Sequence, residues 1–448
     1  MAKATTIEIY NKTGNKDLWL FFDYQESGSQ GVTNFSKLTY VQPWAGDNAL
    51  ELEAPYTCSF DYLNSGTFRY IVANETGTEW INNNNPNPTF KPPVGVTLGT
   101  ADPNWVGGFF ELSYLSGKNN QMYLDITNVD QVGLCCELEL SDGNKCGYGE
   151  SANDMIAGLK TACDLAADTS AEVTLTGTGG NTYTKLWGPP VASVSDQYSA
   201  AYDDYIEALK HNNTKLSITS DSTIGSTHCG TQLKPFNFTG YFGSPKSMPD
   251  GNPIDKDEVV LWFEGADCPS AGKTTHVYFT KDAINGGTIM SGNSNGGMYI
   301  YPAFEYADSK DQSTIKKGGW ASNVSLNWTA TGAQAVQDTT CFQAMISSVA
   351  RDLITAMNMG YIGVTPPKDD FTYGDKTTYA TAANQKKYIN RWNEYITSHS
   401  DSYGMAYSDA AHQKVLFNPV PGSVIKCYVL PQDEASVPEK KPKKGPKK

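Results

Sequence analysis

Two acids stand out in the stretch from Asn104 to Leu140, NWVGGFFELSYLSGKNNQMYLDITNVDQVGLCCELEL. Glu111 and Asp130 lie among aromatic and amide side chains on what the residue pattern reads as three β-strands. Two carboxylates on neighbouring strands of one sheet are the minimum equipment for cutting a glycosidic bond, because one protonates the leaving oxygen while the other activates water or attacks carbon. Carboxyl groups roughly 6.5 to 9.5 Å apart leave room for an attacking water, whereas about 5 Å suits a covalent intermediate. Spacing alone equally describes two ordinary strand acids, one solvated and one paired with a lysine, and on spacing alone that plainer reading is the preferred one.

Strand alternation groups Phe109, Glu111, Ser113 and Leu115 on one face. The same rule groups Leu124, Ile126, Asn128, Asp130, Val132 and Leu134, so Asp130 is expected on an apolar face. Desolvation there raises a carboxyl pKa and costs stability unless a partner or function compensates, or a bulge turns the acid outward. A hairpin through Ser116 to Gln121 joins the strands, which puts the two acids on adjacent or next-adjacent strands.

The elements that must position this stretch follow from period and punctuation. Alternation between Gly/Asn turns predicts strands from Thr6 to Val41, and short strands continue from Leu50 to Val72. Trp80 to Leu98, crowded with Asn and Pro, is predicted to be a long ordered loop. Helices are predicted over Ser151 to Ala167, where Ser151 and Asp154 make a capping box, over Ser195 to His211, over Cys341 to Met357 and over Ala380 to His399. Strands and Gly-rich loops fill Lys215 to Trp328, and strands return at Tyr403 to Ala410 and Lys414 to Pro431. The expected organisation is a β-barrel domain over 1–148, completed by strands within 403–432, a mixed α/β lobe over 149–402, and a disordered Lys/Pro tail over 433–448.

Composition narrows the function classes. The chain has 448 residues and a formal net charge of −14; its last sixteen residues carry six lysines against three acids, which leaves the remainder at −17. A body that acidic repels phosphate backbones, so nucleic acid is not an expected partner, while neutral polysaccharide meets no such penalty. Aromatic residues make up 12% of the chain, with 26 Tyr and 9 Trp, more than a core needs. No run of eighteen apolar residues exists and the N-terminal MAKATTIEIYNKTG has no apolar segment, so neither a membrane span nor a secretory signal is visible. The nine cysteines form no CxxC pair, and the five histidines (211, 228, 276, 399, 412) have no ligand spacing, so no metal and no cofactor are expected. GGTIMSGNSNGG, Gly286 to Gly297, lacks the Lys-Ser/Thr of a phosphate loop. Trp105, Trp187, Trp262, Trp320 and Trp328 could stack on sugars, although core burial is the safer reading for any one of them.

GGFFELSY followed by YLDITNVDQVGLCCELEL resembles the paired catalytic segments of the glycoside hydrolase family 64 β-1,3-glucanases, of the thaumatin-like superfamily. DMIAGLKTAC resembles that family's first helix, and NQKKYINRWNEYITSHSDSYGMAYSDA its C-terminal helix and closing motif, in the same order. The resemblance covers most of Thr6 to Gln432. It implies a mainly β fold, a thaumatin-like β-barrel or sandwich plus a mixed α/β domain flanking a wide groove that holds a β-1,3-glucan chain. It places the general acid on Glu111 and the water-activating base on Asp130, with inversion. It places sugar contacts at Ser113, near Leu115, at Asn119 and Asn120, and at Tyr407 and Asp409. Leu115 stands where the family has a polar residue, and Ser408 where an acid is common. Cys163 and Cys341 match family cysteine positions and are expected close in space. The implied partner is a laminarin-type glucan of fungal walls, taken up by a monomer without nucleic acid or membrane, in an extracellular setting that the absent signal does not explain. The alternative is a non-catalytic thaumatin-like glucan-binding, structural or adhesion protein.

Overall fold

The computed structural model describes residues 4–24, 39–84, 103–115, 121–189, 191, 194, 197–198, 202–211, 215–219, 237–246, 257, 259–265, 275–280, 303–307, 315–319, 356–357, 359–360, 362, 370–372, 389–404 and 417–436. The chain divides into two compact units. The first comprises Met1–Tyr198, Arg391–Met405 and Lys414–Lys448; the second comprises Ser199–Asn390 and Ala406–Gln413.

In chain order the first unit contains β1 (Thr5–Asn11), β2 (Trp19–Asp23), β3 (Thr39–Val41), β4 (Tyr56–Phe60), β5 (Leu63–Ala73), α1 (Glu75–Asn84), β6 (Trp105–Leu115), β7 (Gln121–Thr127), β8 (Gln131–Val132), β9 (Cys136–Glu139), β10 (Lys145–Cys146), α2 (Ala152–Ala162), β11 (Glu172–Thr176) and β12 (Thr182–Trp187). The second unit contributes α3 (Tyr202–His211), β13 (Lys215–Thr219), β14 (Asn237–Phe242), β15 (Val259–Gly265), β16 (Thr275–Thr280), β17 (Ala303–Ala307), β18 (Ile315–Gly319) and β19 (Asp370–Thr372). The chain then re-enters the first unit with α4 (Arg391–His399), β20 (Ser402–Tyr403) and β21 (Val424–Val429).

The fold is mainly β, built from several mixed sheets. In the first unit a six-stranded sheet runs β20-β7-β6-β5-β2-β3 and a five-stranded sheet runs β10-β9-β21-β1-β4. Each ends in edge strands, so among the described residues neither closes into the barrel that the sequence suggested. Strict alternation in β1 buries Ile7 and Ile9 and leaves Glu8 and Tyr10 half-exposed. That pattern is what a sheet with one wet face requires. Parallel pairing of β1 with β21, Thr6 opposite Val424 through Asn11 opposite Val429, ties the two ends of the chain together. A third sheet, β11-β12-β8, adds Glu172 to Trp187 to this unit, so the unit boundary falls after Tyr198 where the sequence suggested residue 148.

One face of the six-stranded sheet is an aromatic core. Phe22, Phe68 and Phe110 stack on successive strands with centroids 4.0 and 4.9 Å apart, and Leu112, Leu124 and Ile126 continue it. This face meets the five-stranded sheet, where the Thr5 hydroxyl donates to Met122 Sδ at 3.6 Å. The opposite face changes character along its length. At one end Trp19, Phe21, Tyr40, Ile71, Ala73 and Trp105 bury themselves with Ile81 of α1; from Arg69 and Phe109 onward it carries Thr67, Glu111, Ser113, Tyr123 and Asp125.

Helix α1 overturns part of the loop expected over Trp80 to Leu98. Asn74 Oδ1 caps it by accepting from Gly77 N at 2.8 Å, Glu75 supplies an acid in the first turn, and burial of Ile81 outweighs the poor helix propensity of the Asn run. Helix α2 begins at the expected cap: Ser151 Oγ accepts from Asp154 N at 3.1 Å and donates to its carboxylate at 2.7 Å. It ends at Ala162 with Cys163 as its cap, ahead of the Ala167 boundary, because Asp164 turns into the left-handed region at φ 54°. Helix α3 runs from Tyr202 and α4 from Arg391, directly after the cap-favouring residue Asn390; most of Ser195 to Ala201 and all of Ala380 to Tyr388, where these helices are expected to begin, lie outside the described residues. Buried Trp392 and Ile396 dock α4 in the first unit. The second unit is carried by a seven-stranded sheet, β18-β17-β16-β15-β14-β13-β19, antiparallel except for the β13 to β19 pair. The helix expected over Cys341 to Met357 falls mostly outside the described residues.

Candidate active site

The polar half of the mixed face of the six-stranded sheet brings an arginine and three carboxylates together. Glu111 on β6 stands opposite Thr67 on β5 and Asp125 on β7 in register, so all three share a face. Arg69 lies diagonally across on β5, paired with Phe109, and its guanidinium sits 4.3 Å from the Phe109 ring centroid. Glu111 is half-buried and accepts a hydrogen bond at Oε2 from the Tyr403 hydroxyl at 2.8 Å. Ser113 follows on the same face opposite Tyr123.

Asp130 does not lie on the apolar face of a continuous strand. Strand β7 stops at Thr127, and Asn128 to Asp130 form a bend before β8. The cause is Asn128, whose side-chain Nδ2 donates to Gln131 O at 3.0 Å and so closes a local turn in place of a ladder. The bend interrupts the alternation before Asp130. Asp130 is half-buried, yet its surroundings desolvate the carboxyl enough to raise its pKa to about 6. Arg69 opposes that rise and the Glu111 charge adds to it, which places all three groups within electrostatic reach of one another. Burial also lowers the Arg69 pKa, against the raising influence of Asp130, Glu111, Tyr40 and Asp23; a guanidinium remains cationic regardless.

The turn is pinned from four sides. Asn128 N donates to Tyr403 O at 2.7 Å, and Trp392 Nε1 donates to Asn128 O at 2.9 Å. Asn128 Oδ1 accepts from Tyr148 Oη at 2.6 Å and from Ser402 Oγ at 2.8 Å. Gly188 N donates to Asp130 O at 2.6 Å, an approach so close that a Cβ at residue 188 would sit 2.4 Å from Val129 O. Pairing of Trp187 with Gln131 then hands the chain to β12.

Such an arrangement can move protons. A carboxyl of raised pKa and a second carboxyl held by a phenol lie within electrostatic reach of each other and of Arg69, and two positioned carboxyls are what acid–base chemistry at a sugar or comparable ether centre requires. Among the described residues no three His, Cys, Asp or Glu side chains gather as a metal site. Of the residues expected to bind sugar, Ser113 shares the face of Glu111, while Asn119, Asn120, Tyr407 and Asp409 lie outside the described residues, as does the side chain of Leu115. Cys341 also lies outside them; Cys163 is a buried free thiol whose pKa burial raises to about 12. Trp105 and Trp187 are buried, with the Lys185 ammonium 4.6 and 5.0 Å from their centroids, so neither is open to a sugar ring. A cavity of about 430 Å³ beside α2, lined by Asn153, Ile156, Lys160, Leu165, Glu172 and Thr184, shares no residue with the carboxylates.

Sequence reasoning missed Arg69, Asp125, Asn128 and Tyr403. Arg69 had a signal: it is one of three arginines in the chain and interrupts the apolar strand TFRYIVA. Tyr403 had none, since 292 residues separate it from Glu111.

No protein-family model and no curated protein matches the chain. A laminaripentaose-producing β-1,3-glucanase solved in complex with laminaritetraose is 13% identical over 97% of this chain and 100% of its own, with a TM-score of 0.49. A family 64 β-1,3-glucanase domain from Clostridium beijerinckii is 12% identical over 95% of this chain and 98% of its own, with a TM-score of 0.46. A family 64 laminaripentaose-producing β-1,3-glucanase from Paenibacillus barengoltzii, complexed with laminarihexaose, is 11% identical over 95% of this chain and 74% of its own, at 0.38. Identities this low, with TM-scores under 0.5, do not place the chain in a family.

Proposed function

We propose that this protein is a glycoside hydrolase that cleaves β-1,3-glucan with Glu111 and Asp130 as its catalytic pair. The observation that carries the reading is the convergence of Glu111, Arg69 and the Asp130 turn at one sheet face, with Asp130 raised to about 6. The substrate class and the roles come from the resemblance of the two segments around these acids.

In this reading Glu111 gives its proton to the glycosidic oxygen as the bond to the anomeric carbon breaks. The Tyr403 hydroxyl donates to Oε2 of the carboxyl that carries that proton. Asp130 takes a proton from a water molecule, whose oxygen bonds to the anomeric carbon from the opposite side and inverts it. A base of pKa about 6 is well matched to that task near neutrality, since it is ionised yet still basic. Arg69 keeps the two acids from repelling each other across the face, and Ser113 supplies a hydroxyl to the sugar.

Laminarin hydrolysis by the wild type, Glu111→Gln and Asp130→Asn tests this. Each variant is expected to lose at least about a hundredfold in kcat, in line with general acid–base catalysis, and proton NMR should show the α-anomer released first. A wild type inert on laminarin but still retained by glucan would mean a binding protein and sink the enzyme reading. Full activity in Glu111→Gln would remove Glu111 from the pair.

A further inference from the structure

The six-stranded sheet ends in an unusual edge strand. β20 is two residues long, arrives from the far end of the sequence, and pairs in parallel with Ile126 and Thr127 of β7. So short a strand contributes little as a ladder, yet hydrogen bonds tie it down on several sides. Ser400 Oγ donates to Ile396 O at 2.6 Å at the end of α4, Asp401 N donates to Gly147 O at 2.7 Å, and Gly404 N donates to Asn393 Oδ1 at 2.7 Å. Tyr403 O accepts from Asn128 N at 2.7 Å. The backbone is held at both ends, only 7% of the Tyr403 surface is exposed, and its hydroxyl ends on Glu111 Oε2.

We propose that Tyr403 is a positioning residue for catalysis, holding the Glu111 carboxyl in one orientation and setting the pH at which it releases its proton. The inference rests on the glycosidase reading of Glu111. A phenol that donates to a carboxyl oxygen favours the ionised form, so it keeps the carboxyl pKa lower than it would otherwise be. Among the described residues the other titratable groups near Glu111 include Arg69 on β5, Asp125 and Tyr123 on β7, and Asp130 in the turn that follows. Arg69 works in the same direction as Tyr403, and the two aspartates oppose it once charged. The backbone link of Tyr403 to Asn128 connects this hold on Glu111 to the turn that presents Asp130, so one residue spans both halves of the pair.

Tyr403→Phe keeps the ring and removes only the hydroxyl. The full-length wild type and variant are labelled with carboxyl-13C glutamate, the Glu111 signal is identified by its loss in Glu111→Gln, and both are titrated. The Glu111 midpoint is expected to rise by about one unit, the order of a charge-assisted hydrogen bond. On laminarin, kcat is expected to fall about tenfold while KM stays within twofold, with the alkaline limb of the pH profile moving up alongside the Glu111 midpoint. A purely structural tyrosine would change thermal stability and leave both midpoint and limb where they were. An unmoved Glu111 midpoint in folded Tyr403→Phe overturns the proposal. Because the titration needs no substrate, it decides the tyrosine's role even where laminarin is not cleaved, which separates this inference from the function it rests on.

Discussion

Asn128→Ala is the perturbation with the largest expected effect on the site. The side chain is 2% exposed and makes three hydrogen bonds: it accepts from Tyr148 Oη and Ser402 Oγ and donates to Gln131 O. Ser402 Oγ keeps a second partner in Ser400 Oγ at 2.7 Å, so its loss is the smallest of the three. The Tyr148 hydroxyl and Gln131 carbonyl are left without this partner in a buried setting, at about 1 to 3 kcal/mol each. The total is about 3 to 4 kcal/mol, which for a unit of this size lowers Tm by roughly 6 to 16 °C. Differential scanning calorimetry on the full chain is the assay, with the exposed Asn144→Ala as a control expected within about 0.5 kcal/mol of wild type. Asn128→Asp adds a test of mechanism: it removes the donor to Gln131 and buries a charge close to Asp130, so its deficit should shrink as the pH falls and the new carboxyl protonates. A Tm drop under 2 °C for Asn128→Ala would show that the turn does not depend on its asparagine.

Two further predictions concern the same turn. Asp130 has its pKa raised to about 6, so the native state binds a proton that the unfolded chain, with an ordinary aspartate near 3.9, releases earlier. The ionised Asp130 therefore costs stability that is absent below about pH 4, builds up as pH rises to and through about 6, and amounts to about 3 kcal/mol at neutrality. Asp130→Asn should accordingly raise Tm at pH 7.5 and leave it nearly unchanged at pH 4 while abolishing turnover; equal shifts at both values would contradict the desolvated carboxyl. Gly188→Ala should push Val129 O and with it the Asp130 turn, lowering kcat more than tenfold with a cost of a few kcal/mol, because the inserted Cβ meets backbone that cannot step aside. Calorimetry and laminarin kinetics on that variant check both halves.

Much of the scaffold around the acids was legible because it follows from local rules. Alternation in β1 and β6, the Ser151 cap of α2 and the shared face of Glu111 and Ser113 all reflect backbone geometry acting over a few residues. Where these rules competed with tertiary burial they failed. The Asn run of α1 looks like loop, yet one buried isoleucine and a capping asparagine hold it helical. Extending the period of β7 through Asp130 counted that acid in a strand that stops at Thr127, where the Asn128 side chain closes a local turn instead.

The sequence by itself determined the β character of the first half, the polar strip after Phe109 and the presence of two acids at hairpin spacing. Those features depend on side-chain period and turn chemistry, which neighbouring residues encode. Only the tertiary structure decided that Asp130 comes within electrostatic reach of Arg69, that its carboxyl is raised to about 6, and that Tyr403 grips Glu111. Desolvation and hydrogen bonding depend on what surrounds a group in space. Here those surroundings come from strands β5 and β12, helix α4 and a two-residue edge strand 292 positions away along the chain.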